Sequence, residues 1–174
     1  MSLGSLARSA SATALILLAV ACREGDASTP DVAIPCGGTR SSLSHARDSA
    51  VFDLVDPTGH HPLTAELDSV WRCATVAGGI LLVYDSGVTV LESVNTLDDP
   101  AAEWRGLADS YREFSVGEVN GVPASLADPA IDGAVGGVDF VVGDVRITVG
   151  GNGSIPLDDL VAVARSIPVE VPAA

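Results

Sequence analysis

From Ser49 onward the chain breaks into short runs of β-forming residues, and some neighbouring runs are joined by so few residues that they can only pair antiparallel. The runs fall at Val51 to Val55, Ser69 to Thr75, Ile80 to Asp85 and Val88 to Val94, then at Ser115 to Val119, Val122 to Leu126, Val138 to Val142 and Val145 to Val149. Asp85-Ser86-Gly87 and Gly143-Asp144 read as hairpin turns. Between the two sets, Asp99 is placed to cap a helix with Pro100 at its first position. Trp104, Leu107, Ala108 and Tyr111 then recur at i, i+3, i+4 and i+7, an apolar stripe that core packing against a sheet would use. A closing helix is expected at about Leu157 to Ile167, with Leu157, Leu160, Val161, Ala164 and Ile167 on one face. Asp158 and Asp159 in its first turn and Arg165 in its last suit the helix dipole. Strands, helix, strands, helix describe an α+β domain over residues 36–168: a mainly antiparallel β meander with two helices packed on one face. Residues 169–174 are expected to fray.

The N-terminal end has a different character. Arg8 supplies a positive charge, and Ala10 to Ala21 form a mostly apolar stretch shorter than the roughly 20 residues a bilayer span needs. An ordinary cleaved signal peptide with a chance cysteine, or an uncleaved anchor helix, is the plain alternative. The segment Leu18-Ala19-Val20-Ala21-Cys22 resembles the lipobox of bacterial lipoproteins, with small residues before the cut and cysteine just after it. That resemblance implies removal of residues 1–21, lipidation of the Cys22 thiol and anchorage on the extracytoplasmic face of the cell membrane. Two acyl chains anchor firmly, because each buried methylene contributes about 0.8 kcal/mol. Residues 23–35, polar and broken by Pro30 and Pro35, read as a flexible tether whose 13 residues have a typical end-to-end distance of ~20 Å.

The chain holds 9 basic residues, all Arg, against 23 Asp plus Glu. Removing residues 1–21 takes away Arg8 and no acid, so the remainder carries 8 − 23 = −15. Such a surface repels phosphate backbones, which argues against nucleic acid as a partner. Aromatics make up 4% of the chain, so the core must be built from small aliphatic side chains. Of three cysteines, the lipobox claims Cys22 and leaves Cys36 and Cys73, which in an oxidising compartment are most simply one disulfide. Metal binding by this pair is the rival reading, without a nearby His or second Cys pair to support it.

Asn120-Gly121-Val122-Pro123-Ala124, a following strand hairpin and the final IPLDDLVAVARSI carry a second resemblance. They are similar to the end of a small domain of unknown function found outside the membrane in anti-sigma factors and bacterial lipoproteins. The likeness covers roughly Trp104 to Ile167, rests on structural residues and brings no catalytic residue with it.

Reactive side chains form no recognisable site pattern. The histidines are His45, His60 and His61, and the adjacent pair lacks the spacing of metal ligands; in a strand its two rings would point opposite ways. Ser86 and Ser154 stand in turn contexts rather than in a nucleophile elbow. Asp132-Gly133 and Asp139 to Asp144 do not follow a calcium-loop spacing, and VGGNGSI, with Asn152, reads as a turn before the closing helix. These observations predict no catalytic residue, metal or cofactor. They lead to a non-enzymatic, membrane-anchored binding or sensing module whose partner is another envelope protein or a small envelope ligand. The alternative is a lipid-carrying lipoprotein with an apolar cavity between sheet and helices, in which Trp104 and Tyr111 would line the pocket.

Overall fold

The computed structural model describes residues 35–76, 78–128 and 136–169. The segment expected as a signal, Cys22 expected as the lipid acceptor, the expected tether up to residue 34, Asp132-Gly133 and the chain beyond Val169 lie outside the described residues. All described strands join one antiparallel sheet: β1 (Thr39–Ser41), β2 (Leu67–Arg72), β3 (Ile80–Tyr84), β4 (Thr89–Val94), β5 (Phe114–Val119), β6 (Val122–Ala127), β7 (Gly137–Val142) and β8 (Val145–Gly150). The order across the sheet is β1-β2-β3-β4-β8-β7-β6-β5. Two four-stranded meanders therefore meet at β4 and β8. The first runs inward from one edge, and the second starts at the other edge and returns. Helices α1 (Leu43–Ser49), α2 (Pro100–Ser110) and α3 (Leu157–Ser166) complete the fold.

Local chemistry explains the joins. Asn120 and Gly121, both with positive φ (50° and 83°), make the tight β5–β6 turn, a conformation that twists with the strands and favours this dipeptide. Asp99 caps α2 by accepting a hydrogen bond from the Ala102 N–H, and Pro100 occupies the first helical position, where no amide is needed.

One row of directly opposed residues crosses the whole sheet: Thr39, Arg72, Ile80, Glu92, Ile147, Phe140, Ala124 and Gly117. Opposed residues share a face and successive residues alternate, so this row fixes the sidedness of every strand. On its side lies the main core, in which Leu82, Val90, Ile147 and Phe140 pack with Ala46 of α1 and with Leu160, Val163 and Ala164 of α3. Arg146 neighbours Ile147 and must point the other way; its guanidinium carbon lies 5.4 Å from the centre of the Trp104 ring on α2.

That geometry corrects the expected layering. There are three helices among the described residues rather than two, and α2 lies on the opposite face from α3. On the far face Ser125, Asp139, Arg146 and Thr148 share one side of β6, β7 and β8, and α2 covers this polar patch with Trp104. Tyr111 departs from the expected stripe as well: it is the C-cap of α2, 54% exposed, with its ring edge against Phe114.

Val51 to Val55, expected as the first strand, is irregular. Val51 is 76% exposed, while Phe52, Leu54 and Val55 pack against the core as a cover over the sheet. The edge beside β2 is taken by β1, so these residues have no strand to join. The run expected at Ser69 to Thr75 begins at Leu67 and stops at Arg72, after which the Cys73 N–H turns to the Gly79 carbonyl.

Candidate functional site

Cys36 and Cys73 are bonded, with their Cα atoms 5.2 Å apart and 37 positions apart in sequence. The bridge joins the start of the described residues to the end of β2. Beside it opens a cleft of about 330 Å³, lined by Gly37, Gly38, Thr39, Ser49, Arg72 and Gly79 among others. Backbone geometry builds this cleft. Cys36 and Gly37 both adopt left-handed φ (47° and 59°), bending the chain from the bridge into β1. A Cβ on Gly38 would lie 2.2 Å from the Arg72 carbonyl oxygen, so only glycine lets the two segments close here. Thr39 and Arg72 are direct cross-strand neighbours on the core-side face, so both side chains rise toward α1 and Ser49. Ser49 turns its hydroxyl to the Ala46 carbonyl. Arg72 is the one charged residue of the lining.

Further along the same row, Glu92 is fully buried. Its Oε2 accepts the Val55 N–H at 2.9 Å, which fastens the irregular cover to β4, whereas Oε1 has no partner among the described residues. Burial, opposed in part by the Val55 bond and reinforced by the charge of Asp56, pushes its carboxyl up to about 8. Tyr84 shares this environment. Its buried hydroxyl is pushed up to about 12 by burial, and although Thr58 lies near, neither hydroxyl has a hydrogen bond of good geometry among the described residues. Asp56 is held apart by Arg47 at 2.9 Å and accepts the Thr58 N–H at 3.0 Å.

On the far face Asp139 grips Arg146 through the guanidinium Nε and a second, shorter contact from Nη2, and Thr148 adds a longer bond from its hydroxyl. Burial is the largest influence on both groups and opposes charge on each; for Arg146 the bonds and charge of Asp139 outweigh it and raise its pKa, so the guanidinium stays charged. Ser125 Oγ and Trp104 Nε1 are buried nearby without partners among the described residues.

Compared with known protein families, with curated proteins and with solved structures, the chain matches none.

Most of the other residues singled out from sequence have structural employment. His45 sits in α1, where its backbone N–H is taken by the capping Ser42. His61 Nδ1 accepts the Leu63 N–H at 3.2 Å and caps a short 3₁₀ turn, and His60 lies exposed beside it. Ser86 donates to the Leu63 carbonyl and accepts the Val88 N–H within the β3–β4 turn, and Ser154 bonds Asn152 in the turn before α3. No group of three or more His, Cys, Asp or Glu is arranged to hold a metal among the described residues. Asp139, one of the carboxylates whose spacing did not suit a calcium loop, is bound to Arg146. Sequence reasoning missed Arg72 and Glu92. Glu92 left a signal, since it falls in step with the buried Val88 and Val90 and so on the inward side of β4.

Proposed function

We propose that the chain is a membrane-anchored extracytoplasmic lipoprotein, cut before Cys22 and held by lipid there, whose folded domain is a non-enzymatic binding or sensing module. The observation that carries this reading is the Cys36–Cys73 bridge, because disulfides persist outside the reducing cytosol and this one sits where the Cys22 tether would reach the domain. The apolar segment ending at the lipobox-like Ala19-Val20-Ala21-Cys22 supports the same address. Among the described residues no helix is long and apolar enough to cross a membrane, and lipid on Cys22 would supply the attachment instead. The buried carboxylates are engaged in holding the fold, Asp139 with Arg146 and Glu92 with Val55, which favours binding over catalysis. The partner is an envelope protein or a small envelope ligand; the charge of −15 beyond residue 21 disfavours nucleic acid.

The lipid-carrier alternative needs several hundred cubic ångströms of apolar space between sheet and helices. Leu160, Val163 and Ala164 fill the ground between α3 and the sheet, so packing speaks for the binding module.

Cell fractionation and intact-mass measurement test the anchor. The expected result is a mature chain starting at a diacylated Cys22 that enters the detergent phase, and a Cys22→Ala chain that is neither lipidated nor cut. A water-soluble wild type with an unmodified N-terminus overturns the reading.

A further inference from the structure

We propose that the cleft beside the Cys36–Cys73 bridge is a binding site for a phosphate group, held by Arg72 and Thr39. The inference rests on the reading as an anchored binding module and names the chemistry of its ligand. Acids outnumber bases 23 to 9 in this chain, yet the cleft lining holds an arginine and no carboxylate. Thr39 and Arg72 stand directly opposite each other on one face of β1 and β2, which brings a hydroxyl donor beside a guanidinium. Neither side chain makes a hydrogen bond or ion pair among the described residues. A guanidinium presents two parallel N–H groups that match a phosphate edge, and a hydroxyl supplies a third donor. Gly37, Gly38 and Gly79 line the cleft, and an added Cβ on Gly38 or Gly79 would meet the facing segment, so these glycines let the walls that carry Thr39 and Arg72 close together.

Placement argues for the same ligand. On the reading that Cys22 is lipidated, 13 residues separate the lipid from Cys36, and a flexible segment of that length has a typical end-to-end distance of ~20 Å, which would put the cleft near phospholipid headgroups. A headgroup phosphodiester and free phosphate both present a pair of non-bridging oxygens that a guanidinium can take.

The test uses the lipidated full-length mature protein in neutral detergent micelles, titrated calorimetrically at fixed ionic strength. One arm uses inorganic phosphate and the other a short-chain phosphatidylglycerol below its micellar concentration. Saturable binding in either arm is expected, and the arm that binds identifies the source. Arg72→Gln should weaken it about tenfold or more, Thr39→Val by a smaller factor, and Arg72→Lys should fall between, since a point charge replaces a fork. Arg72 is exposed, so the variants should fold, and a thermal melt checks this. Absence of saturable binding in both arms, or equal affinity in Arg72→Gln, overturns the proposal. Should Arg72→Gln lower the melting temperature while neither probe binds, Arg72 serves only to offset the carbonyl end of α1. The anchor is tested separately by fractionation, so a failed titration leaves the lipoprotein reading standing.

Discussion

Replacing Glu92 with glutamine should stabilise the protein, and increasingly so from pH 4 to pH 8. In the unfolded chain this carboxyl ionises near its ordinary 4.5, but in the fold burial delays ionisation to about 8. Between these values unfolding releases a proton, so the contribution of Glu92 to stability is complete below about 4.5, declines through the interval and levels off above 8. At roughly 1.4 kcal/mol per pKa unit, a displacement from 4.5 to about 8 corresponds to a loss of roughly 5 kcal/mol as an upper bound, since water entry and local opening reduce it. Glutamine keeps an oxygen for the Val55 N–H and does not titrate. Subtracting the variant's stability from the wild type's at each pH also removes the general repulsion of an acidic chain, which both proteins share. Even a third of the bound, at about 4 °C per kcal/mol for a domain of this size, opens a gap of ~7 °C between the melting temperatures by pH 8. Thermal unfolding followed by circular dichroism from pH 4 to 8.5 measures it. A difference that stays flat with pH, or a wild type that gains on Glu92→Gln as pH rises, would refute the argument that Glu92 is buried and neutral.

Other expectations follow from the same packing. Opening the 37-residue Cys36–Cys73 loop by the double change Cys36→Ala and Cys73→Ala should lower stability by up to roughly 4 kcal/mol in denaturant melts, and equal midpoints for both proteins would contradict it. Asp139→Asn should lose roughly 3 kcal/mol or more because it strands the Arg146 charge beneath α2; a loss within about 0.5 kcal/mol would mean that water reaches this pair. His60→Ala should shift stability by no more than about 0.5 kcal/mol, whereas His61→Ala removes a cap and should cost about 1 kcal/mol; matching losses would show that the cap is idle.

What the sequence made legible was decided over short distances. Gly143-Asp144 and Asn120-Gly121 impose their turns through positive φ, and Asp99-Pro100 starts α2 by itself, so those elements fall where residue chemistry puts them. The cysteine pair was legible by counting, on the expectation that the lipobox claims Cys22 and leaves two cysteines in an oxidising compartment. α1 was not, because seven residues hold too few turns for a periodic stripe even with Ser42 in place as a cap. Val51 to Val55 carries β-forming side chains without a strand partner, and partnership is a property of the assembled sheet. Nor does alternation along a strand say which face a helix will cover: the polar side of β6, β7 and β8 drew Trp104 of α2, while α3 took the aliphatic side. The Arg72 cleft escaped for the same reason, since its walls come from segments far apart in the chain.

The bridge between Cys36 and Cys73 also defines how the domain would carry tension. A pull on the chain ahead of residue 36 passes through the sulfur atoms into Cys73, at the end of β2, where it meets a strand paired along its length with β3. The loop between the two cysteines holds β1, α1 and the cover that Glu92 fastens, and it lies off the loaded path. Without the bridge the same pull would peel the three-residue β1 from the sheet one residue pair at a time and then unravel the cover. With the bridge closed, a force applied ahead of residue 36 would enter the fold at Cys73 and β2, and the short β1 would be spared.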